Sequence, residues 1–186
     1  MFSLRALFRA KPGVEIARTL YSETILAARR PRFFTDCGVP DTPEGRFEML
    51  ALSAFLVLNR LKTIPQSNDL SQAYFDVMFD DIDSNLRELG VGDISVGKKV
   101  KKLAQSFYGR IKAYETGLDD PGNGKLMDAL ERNLLRGTGA DQDTIRAMCA
   151  YVRAEQAFLA GQDAGQLSAG SIQFIDLNSV FDEPGR

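Results

Sequence analysis

Apolar residues recur every three or four positions through most of this chain, which is the spacing of a helix that buries one face. The pattern predicts a helix over residues 14–30, ended by Pro31, and a second helix from Thr42 to about Lys62. The second helix is apolar around nearly its whole circumference. We therefore expect it at the centre of a helical bundle, with neighbours on several sides.

The helical spacing continues through the second half of the chain, where glycines and polar residues interrupt it. Ser67 and Ser95 are candidate N-caps, and Gly90 is a candidate C-terminal stop. Further helices are predicted over residues 67–89, 95–114, 126–134 and 141–159. No alternation of apolar and polar residues is long enough to predict a strand. The sequence therefore predicts an all-α fold, a single-domain bundle of about six or seven helices.

The chain divides into three predicted regions. Residues 1–34 form an N-terminal helical segment, residues 35–160 a helical core, and residues 161–186 an irregular tail with a short extended segment at 172–177. The extreme N-terminus mixes apolar and basic residues without acids, a composition found in transit peptides and interfacial helices. We favour a first helix that packs its apolar side chains on the domain.

Composition excludes several classes of protein. The chain has 186 residues, of which 44% are hydrophobic and 26% charged, as in ordinary globular domains. It contains no histidine, which removes the commonest general base and every zinc site that needs histidine. Cys37 and Cys149 form no CxxC pair, which fits a reducing compartment. Because Cys37 has no histidine and no adjacent basic residue to activate it, we expect a structural thiol.

The net charge of −2 conceals segments of opposite charge. Residues 69–89 carry six acidic and one basic residue, whereas residues 95–114 carry six basic residues and no acidic one. The six basic residues lie opposite the apolar stripe of one predicted helix: Lys98, Lys99, Lys101, Lys102, Arg110 and Lys112. We expect them to contact an anionic partner, either RNA or a membrane surface, with a solvated helix face as the alternative.

The aromatic residues of the same helix argue against sequence-specific recognition of nucleic acid. Phe107 and Tyr114 fall on its apolar stripe, and Tyr108 falls near the margin of that stripe. The basic side therefore lacks the interleaved stacking groups that single-stranded nucleic acid prefers.

Two further patterns are candidate sites of chemistry. Asp76, Asp80 and Asp83 share one predicted helix face and could hold a divalent metal, although a solvated face explains them as well. The segment 92–99 is one residue away from a phosphate-binding loop. It lacks the final hydroxyl that holds magnesium, and it follows a predicted helix where the motif needs a strand. We predict no catalytic residue, no metal site and no cofactor.

Two blocks of sequence carry a family resemblance. The first is Pro40–Leu50 (PDTPEGRFEML), and the second runs from Phe75 through residues 86–94 (LRELGVGDI) to Arg110. Within them, the residues that fix the motifs are Asp41, Arg46, Gly90, Gly92 and Asp93. Over roughly residues 35–140 the chain resembles the ubiquinol–cytochrome c chaperones, which are assembly factors for the cytochrome bc complex (complex III).

The resemblance implies an all-helical, non-enzymatic chaperone. Mitochondrial members of that family associate with the ribosome and with newly made cytochrome b, and they work with a small partner protein. Because only about 35 residues precede the matched region, we expect a bacterial member. Such a member would be cytoplasmic and peripheral to the inner membrane, with the matrix side of the mitochondrial inner membrane as the alternative location.

The leading hypothesis is an assembly chaperone that holds newly made cytochrome b, or a similar membrane subunit, in an apolar groove. Its basic helix would contact the ribosome or an anionic membrane. Two alternatives remain open from the sequence. One is a metal-assisted hydrolase that uses Asp76, Asp80 and Asp83, and the other is a structural domain that associates with itself through its segregated charges.

Overall fold

Helices joined by short turns make up the structure. The computed structural model describes residues 12–182. In chain order its helices are α1 (Pro12–Ala28), α2 (Arg32–Thr35), α3 (Pro43–Leu61), α4 (Asn68–Glu88), α5 (Asp93–Leu118), α6 (Gly124–Asn133), α7 (Gln142–Ala160), α8 (Ala164–Ser168) and α9 (Asn178–Phe181). Residues 12–182 contain no strand, so the all-α prediction is confirmed. The first helix expected within residues 1–11 lies outside the described residues.

Helix α3 is the central helix, as its apolar sequence predicts. It packs against α1, α4, α5 and α7, and most of its length is buried. Its start is fixed by Thr42, whose side-chain oxygen accepts a hydrogen bond from the backbone N–H of Gly45 at 3.1 Å. Gly45 itself packs on the preceding loop, where a Cβ atom would come within 2.0 Å of the Pro40 carbonyl oxygen. The local sequence therefore sets both the cap and the angle at which the chain enters α3.

The turn between α4 and α5 differs in detail from the prediction. Gly90 ends the first helix with a φ of +82°, as expected of a glycine stop. Helix α5 begins at Asp93, two residues before the predicted cap at Ser95, and Gly92 occupies its N-cap position. Ser67 precedes α4 as predicted, but its hydroxyl donates to the carbonyl oxygens of Leu61 and Ile64 and does not cap the helix.

The C-terminal tail is fastened across the ends of α1 and α7. Residues 171–176 have irregular backbone, so the extended segment expected there pairs with no strand among residues 12–182. The backbone N–H of Ile175 donates to the buried carboxyl of Glu155 at 3.3 Å, and its carbonyl oxygen accepts from Arg30. Gln162 and Gln173 exchange two further hydrogen bonds. The short helices α8 and α9 lie within this tail.

None of the helices between residues 12 and 182 has the length and apolarity needed to cross a bilayer.

Candidate functional site

An apolar groove opens on the surface between four helices. It has a volume of about 450 Å³ and lies between the C-terminal ends of α1 and α4, the N-terminal half of α3 and the flank of α5. This volume lies within the range of ligand-binding clefts in proteins. Its apolar lining comes mainly from half-buried side chains: Ile25, Phe47, Leu50, Leu86 and Leu103.

Charged side chains surround this apolar lining. Arg29 directly after α1, Arg46 and Glu44 from α3, and Asp81 from α4 all line the groove. Arg46 is paired with Asp41 at 2.6 Å, and this exposed ion pair joins two of the motif residues at the start of α3. An apolar cleft edged by both signs of charge suits a partner that presents an apolar segment with polar flanks.

An ion pair joins α3 to α5 beside the groove. Arg110 of α5 makes two hydrogen bonds to the carboxylate of Glu48 in α3, and both side chains are about 15% exposed. The guanidinium also lies over the ring of Phe47, 5.8 Å from its centroid. The hydrogen bonds that Arg110 donates to Glu48 raise the pKa of Arg110 above its already high ordinary value. The side chain of Arg110 is therefore part of the groove wall and does not project into solvent as the lysine side chains of α5 do.

The turn between α4 and α5 forms one end of the groove. Leu89 lines the groove although its side chain is 76% exposed, so it stands at the mouth. Arg87 bridges the two helices by pairing with Asp83 and with Asp93. The motif residue Asp93 thus has a structural contact, and Gly90 and Gly92 supply the turn that places it.

The lysines of α5 project from the opposite side of that helix. We call Lys98, Lys99, Lys101, Lys102 and Lys112 the lysine face. All five are exposed, and within residues 12–182 none of them forms an ion pair. Glu115, the nearest acid along the helix, is paired with Lys62 at 3.1 Å. The lysine face therefore presents five basic side chains that no ion pair among residues 12–182 engages.

The aromatic residues of α5 are placed largely as expected. Phe107 and Tyr114 are fully buried. Tyr108, placed near the margin from the sequence, is 58% exposed and stacks on Phe75 with ring centroids 5.4 Å apart. One aromatic side chain therefore does stand beside the lysine face.

The aspartates of α4 do not form a metal centre. Asp76 accepts a hydrogen bond from Gln72 at 2.7 Å, and Asp83 is paired with Arg87. Nowhere between residues 12 and 182 do three or more carboxylate or thiol side chains group closely enough to hold a metal ion. The geometry thus does not support the metal site of the hydrolase alternative. Cys37 is buried, and burial raises the pKa of its thiol to about 11, as expected of a structural thiol.

A family model described as "Ubiquinol-cytochrome C chaperone" matches residues 35–174. The chain belongs to this family. The match reaches beyond the predicted limit of about residue 140 and takes in all of α7 and α8. The crystal structure of the Cbp3 homolog from Brucella abortus is 40% identical, with a TM-score of 0.81, and the two align over 96% of this chain and 99% of that one.

Curated relatives of this chaperone family are more distant. "Ubiquinol-cytochrome c reductase complex assembly factor 1" from Mus musculus and the protein of the same name from Homo sapiens are each 25% identical over 146 residues. The aligned region is 77% of this chain and 48% of each relative. The chain thus spans about half the length of the curated relatives it matches.

The groove brings together the two blocks that carry the family resemblance. Residues 43–50 of the first block form one wall, and residues 82–110 of the second block supply the opposite wall and the mouth. An apolar groove is expected from the sequence, but its position is not. The spacing of Leu50, Leu86 and Leu103 is that of core residues. In the structure the packing of four helices brings these three side chains together and leaves them half-buried along the groove. The pairing of Arg110 with Glu48, 62 positions away, had no signal in the local pattern.

Proposed function

We propose that this protein is a non-enzymatic assembly chaperone of the ubiquinol–cytochrome c reductase complex. On this proposal it binds newly synthesised cytochrome b or a similar membrane subunit, while its basic helix contacts the ribosome or an anionic membrane. The observation that carries the proposal is the position of the groove between the two family blocks. The names of the curated relatives, which are assembly factors of that complex, support the same role.

The groove has the properties that a client segment would require. Its lining is largely aliphatic and aromatic, so it can cover part of an apolar helix that has not yet entered the bilayer. Its charged edge offers contacts to the polar residues that flank such a helix. Its volume accommodates a few side chains and not a whole helix, so the interaction is expected to be reversible. Reversible binding is what a chaperone needs in order to release its client.

Site-specific crosslinking tests the proposal. A photoreactive amino acid is placed at Leu89, at the mouth of the groove, or at Leu26, which is 65% exposed on α1 and does not line the groove. Cytochrome b is then synthesised in the presence of either variant. We expect crosslinks to new cytochrome b from position 89 and not from position 26. Equal crosslinking at both positions, or none at position 89 while the variant still supports complex assembly, would refute client binding in the groove.

A further inference from the structure

The outer side of α5 carries more than lysines. Ile94 is 89% exposed, the largest exposure among the large apolar side chains of residues 12–182. Lys101 follows seven residues later and Tyr108 seven residues after that. Seven residues are close to two helical turns, so the three side chains form one row along the helix, about 21 Å long. An isolated exposed isoleucine needs no explanation, but an isoleucine and a tyrosine aligned with lysines form a surface of mixed chemistry.

Other lysines fill the same side of the helix. Lys98 comes four residues after Ile94, and Lys112 comes four residues after Tyr108, so both lie beside the row. Asp93, the acidic residue next to Ile94 at the start of the row, is paired with Arg87. The row thus has an aliphatic residue at one end, an amphipathic aromatic residue further along, and positive charge between and beyond them.

We propose that this row docks on an anionic lipid bilayer. Ile94 enters the boundary between headgroups and acyl chains, Tyr108 lies at the headgroup level, and the lysine face contacts lipid phosphates. The inference deepens the proposed function, on which it rests for its biological context, and it assigns a role to two side chains that the groove does not use.

A lipid surface fits these residues better than RNA does. Phosphates of RNA would engage the lysines but would leave Ile94 in water, whereas a bilayer engages both. Tyr108 already stacks on Phe75, so one face of its ring is occupied and unavailable to a base. The side chain is nevertheless 58% exposed, so its hydroxyl can reach the polar layer of a membrane.

Vesicle co-sedimentation of the purified full chain tests the docking. Vesicles of phosphatidylglycerol and phosphatidylcholine in equal parts are compared with vesicles of phosphatidylcholine alone, at low and high salt. We expect binding to the anionic vesicles only, weakened by salt. Ile94→Ser should weaken binding about tenfold through loss of the buried aliphatic side chain. Lys101→Gln should weaken it about fivefold through loss of one contact with the anionic surface.

Leu89 supplies the matched control. It lies five residues before Ile94, in the turn that precedes α5, and is 76% exposed, but it lines the groove. Leu89→Ser should leave vesicle binding unchanged, and Ile94→Leu should retain it. Far-UV circular dichroism confirms that each variant is folded. Equal binding by Ile94→Ser and the unchanged chain, or equal loss in Leu89→Ser, would overturn the proposal.

Ribosomes provide the remaining comparison. One result would refute the lipid proposal: purified ribosomes bind the unchanged chain but not Lys101→Gln, and anionic vesicles do not bind the unchanged chain. The lysine face would then bind RNA. Because vesicle binding is measured without any client, its failure leaves the crosslinking result at Leu89 unaffected. The two proposals can therefore fail separately.

Discussion

The stability of the fold should depend on pH through one buried carboxyl group, that of Glu155. Its side chain is fully buried in α7, where it accepts the N–H of Ile175 and so holds the C-terminal tail. Burial raises its pKa from 4.5 to about 7. The hydrogen bonds from Ile175 and from Tyr151 and the positive charge of Arg30 lower the pKa, but by less than burial raises it. The folded protein therefore holds a proton on Glu155 under conditions where the unfolded chain has lost it.

The sign and size of the effect follow from this difference. Between about pH 4.5 and pH 7 the native state binds more protons than the unfolded state, so the free energy of unfolding falls as the pH rises. At about 1.4 kcal/mol for each pH unit, the displaced pKa corresponds to a loss of about 3 kcal/mol across this interval. Glu155→Gln removes the titration and keeps an oxygen that can accept the N–H of Ile175.

Urea denaturation followed by circular dichroism measures the effect. The variant should match the unchanged chain near pH 4.5 and exceed it by up to about 3 kcal/mol at pH 8. Glu131→Gln, which removes an exposed carboxylate, is the control for the loss of one acidic side chain. Taking the difference between proteins cancels the titration of other carboxyl groups. A difference that stays constant from pH 4.5 to pH 8 would refute the reasoning.

Two further substitutions test how the groove walls are built. Gly45→Ala places a Cβ 2.0 Å from the Pro40 carbonyl oxygen and should lower the free energy of unfolding by about 1–3 kcal/mol. The control Gly97→Ala adds a Cβ in open space on α5 and should be neutral or stabilising. Equal melting temperatures of the two variants would contradict this. Arg110→Met should cost about 2 kcal/mol by leaving Glu48 unpaired, and adding Glu48→Gln should restore part of that loss in urea titrations. Purely additive effects would show that the pair is not coupled.

The helices were predictable because their signal is local. α3 has an apolar run too continuous for any surface helix, and the sequence Thr-Pro-Glu at residues 42–44 contains the features of a helix start. The N-cap of α5 was predicted at Ser95, three residues after the observed N-cap Gly92, because a serine is a favourable cap, whereas the turn geometry at Gly90 and Gly92 allows the helix to begin at Asp93. Alternative capping residues close together in the sequence shift the predicted end of a helix by a few residues, but they do not change the prediction that a helix is present.

The site was predictable only in part. The lysines could be assigned to an exposed side because the helical period alone separates them from Phe107 and Tyr114. Arg110 was grouped with them since it lies at the edge of that side, and its partner Glu48 is brought near only by the packing of α3 on α5. Contacts between distant segments carry no periodic signal, so neither this pair nor the groove beside it could be located from the pattern.

Helix α5 connects the two proposed surfaces and fixes their relative directions. Leu103, which lines the groove, lies about 160° around the helix from Lys101. On a bilayer contacted through the lysine face, the groove would therefore lie on the far side of α5, about one helix diameter, or roughly 10 Å, from the lipid. A client segment in the groove would be held near the membrane without being inserted. This arrangement suits a chaperone that retains a subunit before assembly, and it predicts that membrane docking and client binding do not compete.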